Sequence, residues 1–142
     1  NSTFHGNTSD ETGDIFVESS ELRMTNSIVW PDMVYFECND ALGDIEHSIF
    51  RYNYNHDNLD QDPVKATVTN KSENPQFADS ENGDLRIMDT SPAKDAGNND
   101  LLPEDKYDLD EDGEKNETHS LDLNREGRII NETVDMGAYE AM

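Results

Sequence analysis

Short apolar runs alternate with polar turns along the first half of the chain, and helical spacing of apolar residues is almost absent. Alternation of apolar and polar residues, or enrichment in β-branched and aromatic residues, marks segments 14–18, 21–25 and 33–38, as is typical of strands. A further strand is predicted at 84–88, directly after the turn that Asn82-Gly83 favours. The pattern therefore predicts an all-β protein.

One short phrase occurs three times, as NSTF at 1–4, NSIV at 26–29 and HSIF at 47–50. The intervals of 25 and 21 residues lie within the range of solenoid repeats, in which each repeat stacks on the next. Aligning Asn1, Asn26 and His47 predicts three stacked columns. They are Ser2, Ser27 and Ser48; then Thr3, Ile28 and Ile49; then Phe4, Val29 and Phe50.

The second half of the chain is richer in loops. Residues 53–62 are polar and predict a loop inserted in a repeat, and residues 98–120 are nearly devoid of apolar groups. So long a polar loop needs something other than an apolar core to order it. Strand-like spacing returns at 128–130 and at 134–139.

Three phrases carry a family resemblance: NSIVW at 26–30, ENGDLRIMDTSPAKDAG at 81–97 and VDMGAYE at 134–140. Together they resemble the C-terminal part of secreted right-handed parallel β-helix surface proteins of the choice-of-anchor type. The resemblance implies β-helix coils over 1–90, a loop-rich closing segment over 91–142 and an extracellular or cell-surface location. The sequence departs from the family pattern at two places. The family has Gly-Asn where this chain has Pro31-Asp32, and it has an apolar residue where this chain has Lys94. The resemblance implies no reaction, because fold does not carry function.

Composition leaves two readings open. The hydrophobic fraction of 32% is too low for a thick central core but suits a β-solenoid, whose core is a narrow stack. Low hydrophobicity with high charge also occurs in disordered chains. The regular placement of the short apolar runs favours the solenoid.

The net charge of −23 repels nucleic acid and anionic lipid, so neither is an expected partner. High-salt adaptation, divalent-cation binding and display on a cell surface each account for such a charge. No stretch approaches the roughly 20 apolar residues of a membrane span, so membrane insertion is not expected.

The sequence DLDEDG at 108–113 resembles the first half of a calcium loop, with Asp108, Asp110 and Asp112 at alternate positions before a glycine. We predict calcium ligands at these residues and at Glu114 and Glu117. The twelfth position of the loop is His119 and the flanks lack helical periodicity, so an EF-hand is not expected. The alternative is a solvated acidic run in a very acidic protein.

Five N-glycosylation sequons begin at Asn1, Asn7, Asn70, Asn116 and Asn131. They are typical of a glycosylated surface protein, although a chain rich in Asn and Thr also produces some by chance.

Arg51, Tyr52, Tyr54 and His56 form an aromatic and basic group that could stack on sugar rings. The alternative is a turn whose tyrosines cover the edge of the coil. Cys38 is the single cysteine and is expected to be a small buried side chain rather than a nucleophile.

These observations favour a non-catalytic structural or adhesive β-solenoid. A first coil without a partner on its N-terminal side exposes strand edges, which favours removal of upstream residues from a longer protein or head-to-tail self-association into a filament. The alternative is a β-helix that binds or cleaves polysaccharide.

Overall fold

The structure is a computed structural model that describes residues 1–7, 15–31, 33–37, 41–55, 64–66, 68–115, 117–118 and 121–141; for 53–55 and 64–66 it describes the backbone alone. Short strands dominate, with 3-10 helices at Ser80–Asn82 and Asn99–Leu101, so the all-β prediction is confirmed. The strands are β1 (Thr3–His5), β2 (Ile15–Glu18), β3 (Glu21–Thr25), β4 (Ile28–Trp30), β5 (Val34–Glu37), β6 (Leu42–Glu46), β7 (Tyr52–Asn55), β8 (Val64–Ala66), β9 (Phe77–Asp79), β10 (Asp84–Ile87), β11 (Ile129–Ile130) and β12 (Thr133–Val134).

Each of the first eight strands pairs in parallel with at least one other strand. The sheet orders are β1-β4, β2-β5-β7 and β3-β6-β8, while β9 with β10 and β11 with β12 form antiparallel pairs. No sheet of the described strands has more than three members, and none closes on itself. Each three-stranded sheet therefore takes one strand from each of three successive stretches of chain.

The register of β1 on β4 confirms the alignment of the repeated phrase. Thr3 pairs with Ile28 and Phe4 pairs with Val29. Ile28 also forms a parallel bridge with Ile49. The second predicted column thus exists as a row of neighbouring residues, and the third is present as the Phe4–Val29 pair.

The serine column is a hydrogen-bonded ladder. The backbone N–H of Ser2 donates to Ser27 Oγ at 3.1 Å, and that of Ser27 donates to Ser48 Oγ at 3.1 Å. The backbone N–H of Ser48 donates to Asn70 Oδ1 at 3.1 Å, which extends the ladder by one step. Each side chain thus satisfies a donor of the preceding repeat, as buried backbone groups require.

Two apolar clusters lie on opposite faces of β4. Val29 belongs to a cluster with Phe36 and Ile45, whereas Ile28 belongs to one with Ile49 and Met136. Ile28 and Val29 are both fully buried. Apolar residues at successive positions are typical of a strand that is covered on both faces.

The C-terminal residues cover the outer face of β1 and β4. The backbone N–H of Ala138 donates to Thr3 Oγ at 3.0 Å, and that of Gly137 donates to the carbonyl oxygen of Asn26 at 2.7 Å. The ring of Phe77 meets His5 edge-on, with centroids 5.3 Å apart. The last residues of the chain are therefore part of the same packed unit as the first strand.

Two buried ionisable side chains, Arg128 and Glu140, lie within ion-pair distance of each other near this cover. Arg128 is 3% and Glu140 is 4% exposed. Arg128 donates to the carbonyl oxygens of Ala138 and Gly137 at 3.1 and 2.7 Å, and its Nε lies 3.6 Å from Glu140 Oε1. Burial raises the pKa of Glu140 to about 8, against the lowering effects of the Asp135 N–H and Arg128.

Some strand assignments from the sequence were wrong. The segment 53–62 was predicted as a loop, but its first residues belong to β7, which pairs with β5. The strand predicted at 134–139 ends at Val134, after which the chain turns. The sequence pattern also missed β6, β8 and β9.

Candidate metal centre

The acidic segment forms a loop that is closed at its base. Glu104 and Thr118 form an antiparallel bridge, and the backbone N–H of Asp105 donates to the carbonyl oxygen of Glu117 at 2.8 Å. Arg125 contacts the loop from outside, with its Nη2 3.4 Å from the carbonyl oxygen of Leu109. The two ends of the loop are therefore held together without an apolar core.

Two groups of three carboxylates converge inside the loop. One consists of Asp108, Asp110 and Asp112, and the other of Asp105, Asp110 and Glu117. Within each group, one ligand oxygen from each residue lies within 4.8 Å of the others. Asp110 belongs to both groups, so these acidic clusters could bind a metal ion.

The backbone of the loop curls around the first group. Asp108, Glu111 and Gly113 have positive φ angles of 54°, 64° and 96°. The N–H of Gly113 donates to Asp108 Oδ1 at 3.1 Å, five residues back along the chain. A glycine tolerates this left-handed conformation without a Cβ clash, which explains its place after the third aspartate.

The second group is the more buried. Asp105 is 2% exposed and accepts hydrogen bonds from the backbone N–H groups of Tyr107 and Leu109 at 3.3 and 2.8 Å. Glu117 Oε1 is buried and has no hydrogen-bond partner in the part of the chain that the structure describes. Desolvation raises the pKa of Glu117, and the negative charges of Asp112 and Asp110 raise it further.

Four of the five ligands predicted from the sequence lie in these two carboxylate groups. Asp108, Asp110, Asp112 and Glu117 are brought together, whereas Glu114 is exposed and belongs to neither group. Asp105 was missed because it precedes the alternating acids by three residues. The only sequence cue was its place between Pro103 and an acidic turn, which is too weak to single it out.

Of the predicted aromatic and basic group near residue 51, the structure describes the side chains of Arg51 and Tyr52. Tyr52 is half-buried, with its ring 6.3 Å from Phe36 and 5.9 Å from Phe50. The guanidinium of Arg51 lies over the Trp30 ring at 4.8 Å and donates to the Pro31 carbonyl. Tyr52 therefore covers the edge of the apolar cluster. The described part of the chain does not include the side chain of Tyr54, or the residues His56 and Cys38.

A different aromatic pair, of an exposed Phe16 and a half-buried Tyr35, lies at the surface. The rings of Phe16 and Tyr35 are stacked on the outer face of β2 and β5, with centroids 5.9 Å apart and planes 13° from parallel. Phe16 is 43% exposed, and the neighbouring outward positions are Glu18 and Glu37, which pair across the strands. This surface combines flat apolar rings with hydrogen-bond acceptors.

The sequons differ in their surroundings. Asn7 and Asn131 are exposed, and Asn1 is half-buried. The Nδ2 atom of Asn70, to which a glycan would attach, donates to the carbonyl oxygen of Ile45 at 2.6 Å. Asn116 lies outside the described residues.

No protein-family model matches the chain, and no curated protein or solved structure is significantly similar to it. Within the described ranges, no helix is long and apolar enough to cross a membrane.

Proposed function

We propose that the chain belongs to a right-handed parallel β-helix displayed outside the cell, with a non-catalytic structural or adhesive role and with calcium ordering the acidic loop. The observation that carries the proposal is the repeated parallel pairing of β2-β5-β7 and β3-β6-β8. Solenoids stack such repeats, and each repeat buries its apolar face only against its neighbours.

Free strand edges support self-association. Among the strands that the structure describes, β2 and β3 pair on one side only, as do β7 and β8 at the opposite end of their sheets. Strand edges carry unpaired N–H and C=O groups and favour pairing with another chain. Two different ends that meet give a heterologous contact, which can propagate into a filament.

Calcium is the cation that this loop suits best. Its ligands are carboxylate oxygens in an irregular loop, and calcium accepts six to eight oxygens in flexible geometry. A divalent ion would also offset part of the net charge of −23.

The test is electron microscopy and sedimentation of the intact protein in calcium, with and without EDTA. We expect filaments or regular oligomers that dissociate on chelation, and that fail to form with Asp110→Asn. Asp100→Asn removes the same charge at an exposed position that precedes the Glu104–Thr118 bridge and belongs to neither carboxylate group, so it serves as the control. Monomers at all protein and calcium concentrations would rule out the assembly role.

A second candidate function is polysaccharide binding, for which the observation is the partly exposed Phe16–Tyr35 stack beside Glu18 and Glu37. Aromatic rings present flat apolar area with little loss of side-chain freedom. Phe16→Ala and Tyr35→Ala should then each reduce retention on a panel of immobilised neutral polysaccharides. Equal retention of both variants and the unaltered chain would remove this candidate.

A further inference from the structure

The turn between β9 and β10 contains a chemically labile pair of residues, Asn82 and Gly83. It consists of the 3-10 helix Ser80–Asn82 followed by Gly83, which has a left-handed φ of 83°. Asn82 and Gly83 are both exposed, and a Cβ placed on Gly83 would meet no described atom within 4 Å. Because glycine has no side chain, its nitrogen can approach the carboxamide of the preceding asparagine without a steric clash.

Few contacts hold this turn in one conformation. The N–H of Gly83 donates to the carbonyl oxygen of Ser80 at 3.2 Å, at the long end of the range for such bonds. No residue of the 3-10 helix is buried, and hydrogen bonds in a 3-10 helix have poorer geometry than those in an α-helix. Segments with few buried apolar contacts open locally at low cost. The turn can therefore reach conformations in which the Gly83 nitrogen contacts the side-chain carbonyl carbon of Asn82.

We propose that Asn82 is a site of spontaneous deamidation. The Gly83 nitrogen bonds to Asn82 Cγ and loses its proton, the bond from Cγ to Nδ2 breaks, and ammonia leaves a succinimide ring. Water then adds to one of the two ring carbonyl carbons. Addition at Cγ breaks its bond to the Gly83 nitrogen and gives aspartate. Addition at the main-chain carbonyl carbon breaks the original peptide bond and gives isoaspartate, in which the chain continues through Cγ.

The reaction would remove a hydrogen bond that stabilises the turn. Asn82 Nδ2 donates to Asp79 Oδ2 at 2.8 Å. Both products carry a carboxylate in place of this donor, so two negative charges would face each other. Asp79 also pairs with Asp84 across the two strands, where like charges are destabilising. Deamidation would therefore gather three acidic groups at this end of the hairpin.

The hairpin carries residues that pack against the first strands. The ring of Phe77 in β9 meets His5 edge-on, and Ile87 in β10 is 7% exposed in the cluster that contains Ile28 and Ile49. Loosening at residue 82 would therefore weaken the packing of β9 and β10 on the rest of the molecule.

Incubation of the intact protein from neutral to mildly alkaline pH, followed by peptide mass spectrometry, measures the conversion of each asparagine. Asn82 should convert roughly tenfold faster than Asn124, an exposed asparagine followed by arginine, and should yield both aspartate and isoaspartate. The rate should rise with pH, because the attacking nitrogen must lose its proton. Asn82→Gln, whose longer side chain does not form the same ring, should stay unmodified. Conversion of Asn82 no faster than that of Asn124 would overturn the proposal.

The variant Asn82→Asp reproduces one product and tests the consequence for the hairpin. Its melting temperature should lie about 2–5 °C below that of the unaltered chain, and hydrogen exchange in residues 77–87 should be faster. Asn124→Asp adds the same charge at another exposed position and should change both measurements little. Equal melting temperatures and equal exchange in the two variants would overturn the loosening of the hairpin, whereas the mass spectra alone decide the deamidation.

Discussion

Gly97 lies directly against Val134. The N–H of Gly97 donates to the carbonyl oxygen of Val134 at 2.9 Å, and a Cβ added to Gly97 would lie 2.7 Å from that same oxygen. The turn before the acidic loop is therefore packed without free space against β12.

Gly97→Ala should destabilise the protein by about 1–3 kcal/mol, because the backbone of one of the two segments must move. Thermal unfolding followed by circular dichroism measures the effect. Gly127→Ala is the matched control, since a Cβ there meets no atom within 4 Å. Equal melting temperatures for the two variants would contradict the close packing.

Ser48→Ala should cost about 1–3 kcal/mol, because it leaves the buried N–H of Ser27 without its acceptor. The same hydroxyl donates to the carbonyl oxygen of Glu46 at 2.9 Å, so a second bond is lost. Urea unfolding gives the free energy, and Ser72→Ala, at an exposed serine, should change it little. A loss no larger than that of the control would show that the ladder is not stabilising.

Phe36→Ala should cost about 3–5 kcal/mol, because Phe36 is 1% exposed in the inner apolar cluster. Since many domains have a total stability of about 5–15 kcal/mol, this variant is expected to be close to unfolding at 37 °C. Phe16→Ala, on the outer face of the adjacent strand, should lose far less. Chemical denaturation of both variants makes the comparison, and similar midpoints would place Phe36 outside the core.

Glu140 should make stability fall as the solution becomes alkaline. Its folded-state pKa is raised to about 8, so its contribution is fully present below the ordinary pKa near 4.5 and is lost as the pH rises through about 8. Melting temperatures from pH 5 to 9 should fall less steeply in Glu140→Gln than in the unaltered chain. Glu81→Gln removes an exposed acid and should keep the original slope, and parallel curves for all three proteins would contradict the shift.

Asn70 should carry less glycan than Asn7 and Asn131 when the chain is produced in a host that glycosylates sequons. The reason is that Asn70 Nδ2 donates to the Ile45 carbonyl and its Oδ1 accepts from Ser48, so the side chain is held on both sides. Glycopeptide mass spectrometry measures the occupancy of each sequon. Higher occupancy at Asn70 than at Asn7 would contradict the prediction.

The register of the first strands could be predicted because the repeated phrase places Ser27 and Ser48 at matching points. The strand β6 could not, since its sequence LGDIE contains Gly43 and Asp44, which both disfavour strands. Pairing with β3 on one side and β8 on the other decides its conformation. Propensity is local, whereas this strand depends on neighbours distant in sequence.

The two carboxylate groups of the acidic loop also differ in how far the sequence predicts them. Alternation of Asp108, Asp110 and Asp112 is a local pattern and was visible in the sequence. The participation of Asp105 depends on the bridge that closes the loop and brings Glu117 beside it. The approach of Asp105 to Glu117 is a contact between residues 12 positions apart. No periodic pattern in the sequence indicates such a contact.

The hydrogen bond between Ala138 N–H and Thr3 Oγ joins residues 135 positions apart. A ribosome adds about 5–20 residues per second, so the outer face of β1 must wait on the order of ten seconds after its own synthesis before its cover exists. During that interval the row of Thr3, Ile28 and Ile49 faces the solvent. We therefore expect this face of the nascent chain to stay exposed, and able to bind chaperones, until residues 137 and 138 have been made.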